Sequence, residues 1–193
     1  MKALKFGLCF FILLSLTACT DGKLKNLTSF IDSYNHFAEE KLTIENFFFQ
    51  NGSEDTLRAI IGTEEYKFIL SLKEDKNSKI KSVKLSMPKT DNAHLKIETT
   101  EAFCRVLSHA LMAYCSYNQS QANEVADAFA LHNPETLYKQ GELTMKKGNF
   151  YFVYYSDETS SEVMIYNTYL HTIEPTEKPV SRPYYGENFI EKD

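Results

Sequence analysis

Side chains that could act as nucleophiles, bases or metal ligands are few and scattered in this sequence. Its five histidines stand apart from one another, at His36, His94, His109, His132 and His171. None of them forms the H-x-x-x-H or H-E-x-x-H spacing that sets two imidazoles on one helix face. Ser108 precedes His109, but neighbouring side chains on a helix point about 100° apart, and no G-x-S-x-G motif surrounds the serine. We therefore predict no catalytic residue, no metal and no cofactor, and expect no enzyme activity.

Beyond the first nineteen residues the chain has two cysteines, Cys104 and Cys115, and two arrangements are open for them. An oxidising compartment favours a disulfide. In one continuous helix, however, positions eleven apart have Cα atoms about 16 Å apart, whereas a disulfide requires them within about 7 Å. No Gly or Pro lies between the two cysteines to break a helix. The favoured interpretation is two separate, mostly buried thiols, and the alternative is a disulfide across a kinked or shortened helix.

Aromatic side chains are abundant, with 14 Phe and 12 Tyr but no Trp. Most of them are expected in the core or on a sheet face. Tyrosine also suits a contact surface, because its ring brings large area at low entropic cost and its hydroxyl forms hydrogen bonds. The candidate partner-binding residues are Tyr154, Tyr166 and Tyr169 on the last strands, together with Tyr184 and Tyr185 near the C-terminus.

The elements that position these residues follow two hydrophobic periods. Apolar residues from Leu24 to Ala38 repeat about every 3.6 residues, which predicts a first helix whose stripe packs on the domain's own sheet or, alternatively, lies on a membrane surface. From Thr43 to Met87 the period is two, which predicts four short antiparallel strands. Pro88 ends the last strand because it has no amide hydrogen for a strand ladder.

The second part of the chain repeats this order. Helical periodicity returns between Thr100 and Leu131, with Thr99 or Thr100 as the expected N-cap and Pro134 closing a pair of helices. Strands are predicted again between Gly141 and Tyr169. The run from Phe150 to Tyr155 is apolar on both faces, so we expect it to be the central strand, covered on each side.

Together these elements predict an α+β fold, in which antiparallel β-sheet meanders are covered by about three helices. A single domain should extend over residues 19–173. The repeated order of helices and strands indicates two similar halves, 23–88 and 99–170, although no residue-level repeat accompanies it. Residues 174–193 carry Pro175, Pro179 and Pro183 between charges, and we expect an extended C-terminal tail there.

Residues 1–18 have the pattern of a signal peptide. Lys2 and Lys5 precede an apolar run from Phe6 to Leu16, which is too short to span a hydrocarbon core of roughly 30 Å permanently. The run ends in Leu16-Thr17-Ala18-Cys19, which resembles the lipobox of bacterial lipoproteins. The resemblance implies cleavage before Cys19, a diacylglyceryl thioether on its sulfur and an acyl chain on its freed amine. The alternative is an ordinary secretory leader in which Cys19 is incidental.

The lipoprotein resemblance also implies a location. In that family, Asp directly after the cysteine retains the protein in the inner membrane of enteric bacteria. Here Thr20 takes that place and Asp21 comes one residue later. We therefore expect a lipid-anchored protein on the periplasmic face of the outer membrane, held to the bilayer permanently by its acyl chains.

Charge and composition narrow the function classes. The chain has 21 Lys and Arg against 26 Asp and Glu, and removal of Lys2 and Lys5 with the leader leaves 19 against 26, a net charge of −7. So acidic a protein is not expected to bind nucleic acid. The leading hypothesis is a non-catalytic module that binds another envelope protein, as an inhibitor, an immunity-type partner or an assembly accessory. The alternative is a carrier or sensor of a small apolar or lipidic ligand, which a large enclosed apolar pocket would favour.

Overall fold

The computed structural model describes residues 24–49, 55–63, 65–168 and 189–191. Its first element is helix α1, Leu27–Phe37. A capping box starts the helix: Asn26 Oδ1 accepts a hydrogen bond from the Ser29 amide at 2.9 Å, and Ser29 Oγ accepts one from the Asn26 amide at 3.1 Å. Three apolar residues of its stripe are buried in the core, namely Phe30, Ile31 and Tyr34. The first helix therefore packs on the domain itself.

A 3-10 helix, Ile44–Asn46, leads into a meander of four antiparallel strands. The strands are β1 Phe48–Phe49, β2 Thr56–Gly62, β3 Lys67–Glu74 and β4 Ile80–Pro88. Every second residue of β2 to β4 is buried on one side, as in Leu57, Ala59, Ile61, Phe68, Leu70, Leu72, Val83, Leu85 and Met87. The alternation predicted these strands correctly because one face of each strand meets the core.

Three further helices follow: α2 Ala93–Cys115, α3 Gln119–Ala128 and α4 Pro134–Tyr138. The predicted N-cap at Thr99 or Thr100 is wrong, because Asn92 caps α2 by accepting a hydrogen bond from the His94 amide at 3.1 Å. Thr100 lies inside the helix and donates to the Lys96 carbonyl at 2.6 Å. Pro134 begins α4, a helix that the sequence did not predict, since proline is tolerated at the first helical position.

The last strands are β5 Gly141–Lys147, β6 Phe150–Ser156 and β7 Ser160–Asn167, all antiparallel, and the short β8 Phe189–Glu191, which pairs in parallel with β5. The eight strands form one open sheet in the order β1-β2-β3-β4-β7-β6-β5-β8. The expectation that Phe150 to Tyr155 is the central strand is wrong. β4 and β7 lie at the centre, and the apolar run of β6 arises because tyrosine and valine occupy its second face, which no described helix covers.

All four helices of the described chain pack on one face of the sheet, so the domain has two layers with a single core between them. Aromatic contacts join the layers. The ring centroids of Phe68 and Phe103 lie 5.7 Å apart, and those of Phe129 and Tyr154 lie 6.2 Å apart. The α+β class with an antiparallel sheet and covering helices is thereby confirmed.

The two predicted halves meet in the middle of the sheet, where their last strands, β4 and β7, pair with Val83 opposite Ile165 and Leu85 opposite Val163. Within the described residues, none of the helices is both long and apolar enough to cross a membrane. The leader and most of the predicted tail lie outside the described residues.

Candidate functional site: the open face of the sheet

The face of the sheet opposite the helices, which we call the open face, presents three rows of side chains. The strand register defines each row from the β1 edge towards β5. The first row is Ile60, Ile69, Ser86, Glu162, Tyr155 and Glu142. The second is Phe48, Arg58, Ser71, Lys84, Met164, Val153 and Thr144. The third is Thr56, Lys73, Ser82, Tyr166, Tyr151 and Lys146.

Strands β6 and β7 carry an aromatic patch on this face, which consists of Tyr151, Val153, Tyr155, Met164 and Tyr166. The three tyrosines are half-buried, and Val153 between them is 9% exposed. Tyr151 and Tyr166 are direct cross-strand partners, and the Tyr166 hydroxyl donates to Met164 Sδ at 3.2 Å. Directly opposite side chains on paired strands have Cβ atoms about 5 Å apart, so the patch is contiguous and its backbone is held by the ladder.

Strands β2 to β4 carry the polar part of the open face. Lys84 Nζ donates to Glu162 Oε1 at 3.1 Å, and Ser86 Oγ donates to the same oxygen at 3.1 Å. Two buried atoms on directly paired residues, Arg58 Nε and Ser71 Oγ, form no hydrogen bond within the described chain. Buried polar atoms are normally satisfied, so these two are exceptions within the described chain.

The sequence-predicted contact residues separate into two groups. Tyr166 lies on the open face, as a contact residue must. Tyr154 does not: it is 2% exposed and faces the helices, where its hydroxyl donates to the carbonyls of Thr136 at 3.1 Å and Leu137 at 3.0 Å. Its assignment to a contact surface is therefore wrong, because alternate residues of β6 point to opposite faces. Tyr169, Tyr184, Tyr185 and Cys19 lie outside the described residues.

Tyr151 and Tyr155 were not predicted from the sequence as contact residues. The available signal was the two-residue period of β6, which places both residues on the same face as Val153 once Tyr154 is assigned to the core.

Cys104 and Cys115 are free thiols in the unbroken helix α2. The favoured interpretation from helical continuity is therefore right. Cys104 Sγ donates to the Leu131 carbonyl at 3.4 Å, and burial raises the pKa of this thiol to about 12. Burial also raises the pKa of Cys115 well above its usual value. The thiolate is the nucleophilic form, so neither side chain is activated as a nucleophile.

A polar groove of about 270 Å³ lies on the other side of the molecule, between α2 and α3. Its lining residues are Glu101, Cys104, Arg105, Ser108, His109, Gln119, Asn123 and His132. Four of these residues, at 101, 104, 105 and 108, follow the spacing of a single helix face, which was the sequence signal for the groove.

Ser108 and His109 both line the groove. Within the described chain, Ser108 forms no hydrogen bond with a histidine, so the two do not make a nucleophile and base pair. Burial, followed by the nearby Arg105 guanidinium, lowers the pKa of His109. His132 Nε2 instead lies 3.4 Å from Asp127 Oδ1. No group of three His, Cys, Asp or Glu side chains able to hold a metal ion occurs among the described residues.

Comparisons with known proteins add no relative to this description. No family model matches the chain, and no similar curated protein or solved structure was found. The interpretation of the open face therefore depends on its own residues and geometry.

Proposed function

We propose that this protein is a lipid-anchored module that binds another envelope protein through the open face of its sheet. The anchor is the acylated Cys19, and the protein acts on the periplasmic face of the outer membrane. The observation that carries the proposal is the aromatic patch of Tyr151, Val153, Tyr155, Met164 and Tyr166, which lies on a face that no described helix covers.

The composition of the patch supports protein recognition. Tyrosine and methionine are enriched at the cores of protein interfaces, and tyrosines are among the residues that most often dominate binding energy. Lys84, Glu162 and Ser86 border the patch with a hydrogen-bonded polar group. A central aromatic cluster with a polar rim is the usual arrangement of an interface hot spot.

The carrier alternative receives less support from the described residues. The space between the sheet and the helices is filled by one cluster of buried side chains. The groove between α2 and α3 is lined by charged and amide groups, whereas sites for apolar ligands are lined mainly by hydrophobic residues.

Capture of the partner tests the contact surface. The anchored protein is purified from gently solubilised envelopes, the copurifying protein is identified, and its affinity is measured against variants. Tyr151→Ala and Tyr155→Ala should each weaken binding by about 1–3 kcal/mol, the range for an aromatic hot spot. Phe37→Ala is the matched control, because Phe37 is 43% exposed on α1 and away from the sheet. Full affinity in both tyrosine variants would contradict the proposed surface.

The anchor is tested separately. Cys19→Ala should abolish fatty-acid labelling and leave the precursor uncut, because the lipid is attached at that sulfur. Labelling that survives the change would contradict the lipoprotein assignment without bearing on the open face.

The non-catalytic assignment has its own test. Substitution of His36, His109 or His132 should leave partner capture unchanged in a folded, correctly located protein. Loss of function on removal of one of these histidines, with silent tyrosine variants, would instead indicate a catalytic or metal-dependent site.

A further inference from the structure

The position of Lys25 shows which end of the domain lies next to the proposed lipid anchor. The Ile80 amide donates to the Lys25 carbonyl at 2.8 Å, and the Lys25 ammonium donates to Ser33 Oγ at 3.1 Å and to the Ala113 carbonyl. Cys19 precedes Lys25 by six positions, and six residues span at most about 20 Å. The acyl chains therefore hold this end of the domain within about 20 Å of the bilayer surface.

We call this end the anchor end, and the strand register defines its extent. It contains the start of α1, the end of α2, the turn between β3 and β4, and the turn between β5 and β6. Thr56 pairs with Lys73, and Tyr151 pairs with both Tyr166 and Lys146, which aligns the strand ends on this side. The opposite end contains the start of α2, helix α4 and the turn between β6 and β7.

Charge is distributed unequally between the two ends of the described chain. The anchor end has seven lysines and four acidic residues: Lys25, Lys73, Lys76, Lys79, Lys81, Lys146 and Lys147, against Asp55, Glu74, Asp75 and Glu124. The opposite end has five lysines and twelve acidic residues: Lys41, Lys67, Lys89, Lys96 and Lys139, against Glu39, Glu40, Glu45, Glu65, Asp91, Glu98, Glu101, Asp127, Glu135, Glu142, Asp157 and Glu158. A chain with net charge −5 thus has a basic end, and that end is the one next to the anchor.

Three of the four acidic groups at the anchor end are already engaged. Asp55 lies 3.9 Å from both Lys73 and Lys81, and Glu124 pairs with Lys147. The Asp75 carboxylate accepts hydrogen bonds from the amides of Asn77 at 2.8 Å and Lys79 at 2.9 Å.

Three lysines at this end, Lys76, Lys79 and Lys146, have no ion pair within the described chain. Lys76 and Lys146 are exposed and Lys79 is half-buried. These three ammonium groups are therefore available for contacts outside the protein.

We propose that the anchor end docks on anionic phospholipid headgroups, so that the domain stands on the bilayer with its acidic end directed away from it. This inference rests on the proposed lipid anchor, which keeps the lysines within reach of the surface. Lysines near an anionic membrane surface are attracted to it, and the attraction falls off within about one Debye length. The acidic end is repelled by the same surface, which favours one orientation. The open face then stands across the membrane plane, accessible to a partner from the side.

Lysine acetylation of the mature lipidated protein tests the orientation without any substitution. The protein is reconstituted on phosphatidylcholine vesicles and on vesicles with about one third phosphatidylglycerol. Acetylation rates at each lysine are then measured by mass spectrometry. On the anionic vesicles the rates at Lys76, Lys79 and Lys146 should fall at least about fivefold, and about 0.5 M salt should restore them. Lys67 and Lys139, both exposed at the opposite end, are the internal controls and should react equally on both vesicles.

A matched pair of variants tests the cause. Lys81, which is half-buried at the same end, should share the lipid-dependent protection, and K76Q/K79Q/K146Q should remove it. K67Q/K139Q should leave that protection intact. Four of the substituted lysines are exposed and Lys79 is half-buried, and retention of the wild-type melting temperature shows that the variants remain folded.

Three results would overturn the proposal. The first is equal acetylation of Lys76, Lys79 and Lys146 on both vesicles, and the second is equal protection of Lys67 and Lys139. The third is protection that only an added acidic protein produces, which would assign the anchor end to a protein partner. Retention on phosphatidylcholine vesicles reports the anchor alone. A protein that remains bound there but shows no lipid-dependent protection would therefore contradict the orientation and leave the proposed function standing.

Discussion

The two faces of the sheet are built by the same strands but have different contents. The helix-covered face carries Phe68, Leu70, Val83, Leu85 and Phe152, all fully buried. The open face has lysines, an arginine and two glutamates beside half-buried tyrosines, and Ile60 on it is 55% exposed. The difference indicates that stability depends on the covered face, while the open face is available for recognition. Neighbouring residues on one strand point to opposite faces, so variants at two adjacent positions test this division at nearly the same place in the fold.

The largest expected effect comes from the pair Phe152 and Tyr151. Phe152→Ala should lower the free energy of unfolding by about 3–5 kcal/mol, because it removes a fully buried ring that contacts Tyr117 and Phe150. Tyr151→Ala, one residue earlier and on the open face, should cost less than about 1.5 kcal/mol. Urea denaturation of both variants measures the difference. Equal losses would mean that the open face is as much a part of the core as the covered face.

A smaller difference in stability is expected between removal of the Tyr154 hydroxyl and removal of the Tyr151 hydroxyl. Tyr154→Phe should destabilise the fold by about 1–2 kcal/mol, because it removes the hydrogen bond that this buried hydroxyl donates to the carbonyls of α4. Tyr151→Phe should change stability by less than about 0.5 kcal/mol. Partner affinity should respond in the opposite order, since Tyr151 lies on the open face and Tyr154 is buried. An unchanged melting temperature in Tyr154→Phe would show that α4 does not depend on this contact.

The ion pair between Lys84 and Glu162 should contribute less again. The two side chains are 32% and 20% exposed, so solvent screens the pair, and a double-mutant cycle should give a coupling of about 0.5–1 kcal/mol that declines with added salt. The measurement uses Lys84→Met, Glu162→Gln and the double variant. A coupling above about 2 kcal/mol would indicate that the open face is drier than its exposure suggests.

The smallest expected effect is a change in pH dependence at the helix layer. Burial first, and the Arg105 charge second, lower the pKa of His109 below its usual 6.5. The Glu39 carboxylate raises this pKa and the Lys41 charge lowers it. The unfolded chain therefore binds this proton at a higher pH than the folded chain. The stability that neutral His109 contributes is full above pH 6.5 and is lost as the pH falls from there through the lower folded pKa. His109→Gln should flatten the fall in stability between about pH 7 and 5. An identical slope in the variant would contradict this assignment.

Local patterns predicted most of the elements but not their arrangement. Alternation in Leu57 to Ile61 and Phe68 to Leu72 identified strands because burial on one face repeats every two residues. The centre of the sheet was mispredicted, because an apolar run such as Phe150 to Tyr155 has the same sequence signature whether its second face is covered by helices or carries a contact patch. The pairing of β4 with β7 joins residues 78 positions apart, and no local pattern encodes such a contact.

The sequence predicted the type of site, a tyrosine-rich contact surface, but only some of its residues. Surplus tyrosine indicated a contact surface, and Tyr166 is on the open face, but the choice of Tyr154 over Tyr151 and Tyr155 was a one-residue error of register. Such an error moves a side chain from one face of a strand to the other. The charge difference between the two ends was not predicted from the sequence, since it depends on which strand ends the fold aligns.

The pairing of β4 with β7 also determines the order in which the chain can fold. The first meander can form as soon as residues 56–88 are available, because β2, β3 and β4 are joined by short turns. Its last strand then presents Val83, Leu85 and Met87 beside an unpaired edge until β7, 78 positions later, arrives to cover it. Non-local pairing of this kind is slow, and unpaired edges are where chains associate with one another. A chain interrupted after α4 would consequently expose a β4 edge that a second copy can pair with, so aggregation rather than a stable half-domain is its expected fate.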